Sequence, residues 1–458
     1  MQIFPYLCSM KSLNSQILRL AIPSILANIT IPLVGVVDTA IVGHIANATY
    51  IGGIAIGTML FDLLYWNFGF LRVGTSGMTA QAYGRNDMQE CGRLLAQSVG
   101  IALIGAAVIW LIQWLFLTAV LAIVPCSTQV AGFARKYFFI RIWAAPVTLS
   151  LMAFKGWFIG MQDTVSPMIT DIVVNLVNMV VSYVLAVYTP LGASGVAWGT
   201  LIAQFTGLIV AILILFIKYK SIRRLGDKSI KLFAGQEMRR FLSLNGNLFI
   251  RSLCFMVVYV GFTSLASKYG DVELAVSTIM MKLFMLFSYF VDGFAYAGEA
   301  LVGKEIGRKS RSLEVKGDEN SSSFKKGVGV GSVVRLLFAW SLGVGVLFTL
   351  IFAIWSGDFY RAMTNDGIVL ARLADYTFWL IAMPIVSTLA FMWDGVYTGA
   401  TAGKQIRNAM IYAAVGFIVC YLATYWWLGI QGLYIAYFAH LVARVVYLSA
   451  AWRKVLSV

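Results

Sequence analysis

Histidine is almost absent from this chain. Only His44 and His440 occur in 458 residues, which leaves no imidazole set for a metal centre and no His-assisted nucleophile. The five cysteines, Cys8, Cys91, Cys126, Cys254 and Cys420, sit at no metal-ligand or redox spacing and form no disulfide framework. No Gly-rich turn ends in Gly-Lys-Ser/Thr, so a nucleotide-driven motor is not expected. A membrane-bound transferase would need clustered acids or a loop histidine, and neither is present. No cofactor or metal site is therefore expected. Charge is scarce as well: 12% of the residues are charged, against about 25% in a soluble domain.

Apolar residues fill the space that charge leaves. They make up 60% of the chain, and a water-soluble fold of that composition would expose large apolar patches. The net charge of +15 would suggest nucleic acid in a soluble protein. Here the basic residues fall between apolar runs, as in loops beside a bilayer, and nucleic acid is not an expected partner. No secretory leader is read: the first apolar run begins near Ile17, is too long for one and lacks a small-residue cleavage site.

A spanning helix needs about 20 mostly apolar residues. Twelve runs qualify: 17–43, 51–81, 93–123, 136–160, 166–188, 192–218, 241–267, 272–303, 329–355, 371–399, 406–428 and 430–453. The second and eighth are long enough, about 45 Å as helix, to require tilt or projecting ends. Pro23, Pro32, Pro146 and Pro384 lie inside runs, where each removes a backbone hydrogen bond and can kink the helix. The connections after even-numbered runs hold Lys218, Arg223, Arg224, Lys228, Lys231, Arg239, Arg240, Lys304, Arg308, Lys309, Lys316, Lys325, Lys326, Lys404 and Arg407. The opposite side has little beyond Arg135, Lys136, Lys268, Arg361 and Arg372. Positive residues mark the cytoplasmic side, so a multi-pass inner-membrane protein with both termini cytoplasmic is expected.

The chain also resembles itself. GFLRVGTSGMTAQAYG (Gly69 to Gly84) aligns with DGFAYAGEALVGKEIG (Asp292 to Gly307) at an offset of 223. FKGWFIG (Phe154 to Gly160) aligns with WDGVYTG (Trp393 to Gly399). Gly-rich stretches alone could reflect close helix packing, but two matches in the same order indicate repetition. The expected fold is all-α, twelve transmembrane helices in two pseudo-two-fold-related six-helix lobes: 1–218, a basic linker 219–240, and 241–458.

Six motifs carry a family likeness: VDTAIVG (Val37 to Gly43), GFLRVGTSGMTAQAYG, MQDTVSP (Met161 to Pro167), NLVNMV (Asn175 to Val180), GVAWGT (Gly195 to Thr200) and DGFAYAGEALVG (Asp292 to Gly303). Together they resemble the multidrug and toxic compound extrusion (MATE) family, DinF-like branch, over almost the whole chain. The resemblance implies a secondary efflux transporter, monomeric, that exchanges amphipathic and often cationic organic compounds for H⁺ or Na⁺ by alternating access. A flippase for lipid-linked precursors is the alternative within the same superfamily.

Charges inside spans are costly and mark pathways or relays. Asp38 lies inside the first run, five residues before its end, with no opposite charge within a helical turn. It reads either as a hydrogen-bonded structural acid or as a carboxylate that exchanges a proton or Na⁺. The resemblance implies the second reading, because Asp38 matches the first-span acid of DinF-type members. In relatives an Asn and, four residues on, an Asp on span 5, with a Thr on span 6, surround that acid. Asn178 and Thr200 match, but Ser182 stands at the Asp position, which favours a single proton with Na⁺ as the alternative. Asn175 and Asp171 share the span, and Asp171 reads as solvating its end. On span 8, Lys282, Met285, Tyr289, Asp292, Tyr296 and Glu299 share one face, either for substrate or for helix locking. Tyr65, Asp62 and Arg72 are further cavity candidates, the last two as an internal pair. Lys155 and Asp394 occupy matching places on spans 4 and 10 and are candidates to meet.

Overall fold

The computed structural model describes residues 3–45, 48–124, 126–220, 236–315 and 329–456. The central part of the basic linker, with Arg223, Arg224, Lys228 and Lys231, lies outside the described residues, as do Lys316, Lys325 and Lys326 and the side chains of Cys8 and His44. Among the described residues every element is helical and none is a strand. Among the described residues twelve helices are long and apolar enough to cross a membrane. Their outer faces suit hydrocarbon: Leu111, Trp426 and Trp427 are each at least 80% exposed, an arrangement that water would penalise.

The runs and the helices differ where charge interrupts hydropathy. Span 4 begins at Thr128, not at 136, because the helix Thr128–Arg141 continues through Arg135 and Lys136. A single 3-10 turn, Ile142–Ala144, then offsets it from Ala145–Gly160. Pro146 sits in the first turn of that second helix, where its missing N–H costs nothing. The run 371–399 is two helices, Gly367–Ala374 and Thr377–Gly399. The break is pinned by Glu273, which accepts from Arg372 Nε at 2.6 Å and from the Tyr376 hydroxyl at 2.9 Å. Glu273 holds the Arg372 guanidinium above its ordinary pKa, chiefly through that hydrogen bond. Span 8 is the longest helix, Asp271–Val315.

The chain gathers into two compact units, Leu26–Arg239 and Met1–Ile25 with Arg240–Val458. The first 25 residues thus join the second unit, where Gly293 leaves room for Ala21 and Ile25. Inside each unit the helices pair in the same order: span 2 with span 4 and span 8 with span 10, then span 5 with span 6 and span 11 with span 12. Glycines set the close approaches. A Cβ on Gly156 would strike the backbone of Arg72, and one on Gly160 that of Ser76 and Ala80. The offset partners do the same, Gly395 against Ala295 and Gly399 against Glu299 and Gly303. The repeat is therefore a repeat of backbone contacts.

The motif MQDTVSP acquires a physical reason at the end of span 4. Asp163 is buried and accepts from Lys218 Nζ at 2.6 Å, the Tyr219 hydroxyl at 2.8 Å and Ser166 N at 3.1 Å. Burial alone would raise its pKa; the bonds from Lys218, Ser166 and Tyr219 outweigh burial and hold the carboxyl below its ordinary value. A depressed carboxyl stabilises the fold fully above about pH 4, and that contribution is lost as pH falls through the folded-state pKa. Asp163→Asn should lower stability by about 1.5–3 kcal/mol at neutral pH. Melting curves across the acid range should show the parent losing its advantage over the variant as pH drops; equal acid sensitivity would contradict this role.

Candidate functional site

Spans 5 and 6 form a tight pair because Gly195 and Gly199 face the backbone of Leu185–Ala186 and of Ser182. That contact brings three polar side chains together. Asn178 Nδ2 donates to Thr200 Oγ1 at 2.9 Å. Thr200 Oγ1 in turn donates to the Val196 carbonyl at 3.0 Å, and the Ser182 hydroxyl points to the same carbonyl at 3.5 Å. Asn178, Ser182 and Thr200 are all buried, and the Oδ1 of Asn178 has no hydrogen-bond partner.

Span 1 reaches this pair through Thr30, whose Oγ1 accepts from Asn175 Nδ2 at 2.6 Å. Spans 1 and 5 are both odd-numbered and so run the same way. Asp38 lies eight residues beyond Thr30, and Ser182 seven beyond Asn175. At 1.5 Å per residue these are climbs of about 12 Å and about 10.5 Å, which place Asp38 at the level of Ser182. Its Oδ1 is buried and makes no hydrogen bond.

Asp38 is not, however, isolated among neutral oxygens. The charge of Arg141, on span 4, acts on it. Arg141 ends the helix Thr128–Arg141 just before the 3-10 turn. It donates to the Tyr137 hydroxyl at 3.1 Å and lies over the Phe61 ring at 4.7 Å. Its charge also reaches Asp62 and Tyr65, on span 2. Arg141 is thus a cation that acts on Asp62, where the sequence suggested Arg72. Arg141 is the residue that sequence reasoning missed; its signal was an arginine inside an apolar run with no acid at helical spacing.

Lys155 and Asp394 each take partners inside their own units. Lys155 Nζ is 2.6 Å from Asp171, so Asp171 is an ion-pair partner and not a solvated helix end. Asp394 receives Arg251 at 2.7 Å and Arg444 at 2.6 Å. Two cations on one carboxylate leave a buried excess of positive charge, with His440 fully buried nearby against Tyr437, ring centroids 5.6 Å apart. The span 8 face is graded: Lys282 is exposed, Met285, Tyr289, Asp292 and Tyr296 are half-buried, and Glu299 is buried. The residues between them, among them Phe284, Phe287 and Val291, are core. Met285 accepts a contact from the Tyr259 hydroxyl at 3.7 Å.

Residues 23–184 and 248–314 match the model of the MatE family, and this chain belongs to that family of membrane transporters, whose members are not enzymes. It is 32% identical over 437 residues to DNA damage-inducible protein F of Escherichia coli (strain K12), covering 95% of this chain and 91% of that protein. Protein DETOXIFICATION 44, chloroplastic, of Arabidopsis thaliana is 25% identical, with 96% and 82% covered. Multidrug and toxin extrusion protein 1 of Danio rerio is 24% identical, with 88% and 65% covered. Among solved structures, a multidrug resistance MATE family transporter of the MOP superfamily in an outward-facing conformation has the same fold, with a TM-score of 0.84, 16% identity, and 97% and 96% of the two chains covered.

Removing one member of a buried ion cluster strands the rest at a cost of about 3–5 kcal/mol. Asp394→Asn leaves Arg251 and Arg444 facing a neutral amide, so it should unfold well below the parent temperature. Asp394→Glu should recover most of the loss. A neutral Asp394→Asn in melting experiments would contradict the assignment of this carboxylate as the anchor of spans 7, 10 and 12.

Proposed function

We propose that this protein is a secondary antiporter that exports amphipathic, often cationic organic compounds in exchange for protons bound at Asp38. The observation that carries the reading is the buried, unbonded Oδ1 of Asp38, set level with Ser182 of the Asn178, Ser182 and Thr200 cluster and within the field of Arg141. Such a carboxylate has two states with different partners. Ionised, it is drawn to Arg141; protonated, it gains a donor and loses that attraction. The two states favour different positions of span 1, and that is the bistable element that alternating access requires.

Arg141 also bears on the choice of ion. A Na⁺ ion beside Asp38 would be repelled by the guanidinium of Arg141. That repulsion supports the proton. The names of the relatives support export of small organic molecules. The basic residues gathered at even-numbered connections, such as Lys218, Lys304, Arg308 and Lys404, support an inner-membrane orientation with cytoplasmic termini. The two-lobe division and a monomeric state belong to the same reading.

Efflux of a lipophilic cation from proteoliposomes under separate H⁺ and Na⁺ gradients tests it. The parent should respond to the H⁺ gradient, and Asp38→Asn should fall to the level of empty vesicles while still binding the cation. Arg141→Gln removes the repulsion and should admit a Na⁺ response. Full H⁺-driven efflux in Asp38→Asn would overturn the proposal. As a further check, Ser182→Asp adds a second carboxylate and should also strengthen the Na⁺ response; an unchanged ion response in a variant that still transports would remove Ser182 from the cluster.

A further inference from the structure

Spans 4 and 10 end in the same turn, bond for bond. After span 4, Met161 N donates to Trp157 O at 2.9 Å, Gln162 N to Ile159 O at 3.0 Å and Asp163 N to Phe158 O at 2.9 Å. After span 10, and 239 residues later, Ala400 N donates to Val396 O at 3.0 Å, Thr401 N to Thr398 O at 2.8 Å and Ala402 N to Tyr397 O at 2.9 Å. Gln162 and Thr401 both take the left-handed conformation, with φ of 63° and 53°. The decisive difference is one side chain. Where the first turn carries Asp163, the second carries Ala402.

In the first unit the Asp163 carboxylate fills the niche and neutralises Lys218. In the second unit no carboxylate stands at that turn position, and cations are present. A cavity of about 210 Å³ lies there, lined by Arg240, Ser243, Asn247, Thr401, Ala402 and Lys404, with Leu244, Gly403 and Gln405 completing it; among the described residues none that lines it is acidic. Arg240 Nη2 reaches Thr401 Oγ1 at 3.3 Å across it. A third cation stands behind: Arg407 Nη1 donates to Asn247 Oδ1 at 2.8 Å. The helix Gly403–Leu428 that starts from this turn has no side-chain cap, so its first backbone N–H groups add to the positive field.

We propose that this cavity binds the phosphate of an anionic phospholipid headgroup, which takes the place that the Asp163 carboxylate holds in the other unit. The niche lies where spans 10 and 11 end and begin and beside the start of span 7, at the boundary that headgroups occupy. Basic pockets between spans at that depth hold such groups. Leu242, Phe249 and Ile250, on the same helix as Ser243 and Asn247, are exposed and offer acyl chains an apolar track. The inference rests on the repeat and the cavity, and it stands independently of Asp38.

Native mass spectrometry and melting of the delipidated full chain, titrated with phosphatidylglycerol, phosphatidylcholine or inorganic phosphate, test the proposal. One phosphatidylglycerol should remain bound per chain and raise the melting temperature, with phosphatidylcholine much weaker and inorganic phosphate without comparable effect. Arg240→Gln and Lys404→Gln should each weaken phosphatidylglycerol binding about fivefold. Ala402→Asp supplies the carboxylate from within; it should raise the melting temperature of the lipid-free protein and abolish the lipid-dependent shift. If Ala402→Asp does not fold, Lys404→Gln decides alone. Unchanged phosphatidylglycerol binding in Lys404→Gln, or equal binding of phosphatidylcholine, would overturn the proposal. An equal shift from inorganic phosphate would overturn the lipid as its source.

Discussion

A charge placed among apolar helices must find an opposite charge or give up its own. The rest of this structure follows from how each unit meets that demand. In the first unit Lys155 closes on Asp171, and Lys218 on Asp163. In the second, Arg251 and Arg444 close on Asp394. These pairs sit where helices meet and are made within single units, so they hold each unit together without depending on the other. Asp38 is differently placed. Arg141 acts on it through space, yet its Oδ1 forms no hydrogen bond. A carboxylate left in that condition can be settled by a proton.

The two units show how one scaffold carries opposite electrostatics. Gly156 and Gly395 press their helices onto spans 2 and 8 in the same way, and Lys155 and Asp394 are the residues immediately before them. Identical backbones thus hold a cation in one unit and an anion in the other. Each is matched by different neighbours: an acid on span 5 for Lys155, and arginines on spans 7 and 12 for Asp394. The turn that follows inverts the pattern again, with Asp163 in the first unit and an uncapped basic niche in the second. Close packing constrains the glycines in both copies and leaves the polar positions free to diverge.

Much of this was legible in the amino-acid order, because a bilayer forces long apolar runs and a repeat forces glycines to recur at fixed offsets. The turn after span 4 was marked by MQDTVSP, although its reason, a carboxylate gripped from three sides, needed coordinates. What hydropathy hid was charge inside helices. Arg135 and Lys136 masked the first turns of span 4, and Arg372 and Asp375 were absorbed into a run that is two helices. Arg141, Arg251 and Arg444 have no acid at helical spacing, so their partners are distant in sequence and no local pattern identifies them. For the same reason the within-unit partners of Lys155 and Asp394 had no local signal.

The central claim is that substrate and proton compete through Asp38, and it makes a thermodynamic demand that requires no gradient. If protonation and ligand binding are linked at one site, binding a lipophilic cation must displace a proton. Titration calorimetry in buffers of different ionisation enthalpy counts it directly. The account requires about one proton released per cation bound at pH values where the free protein is protonated at Asp38, falling to none as that site ionises. Binding of the cation with no proton exchanged at any pH at which the protein stays folded would contradict it.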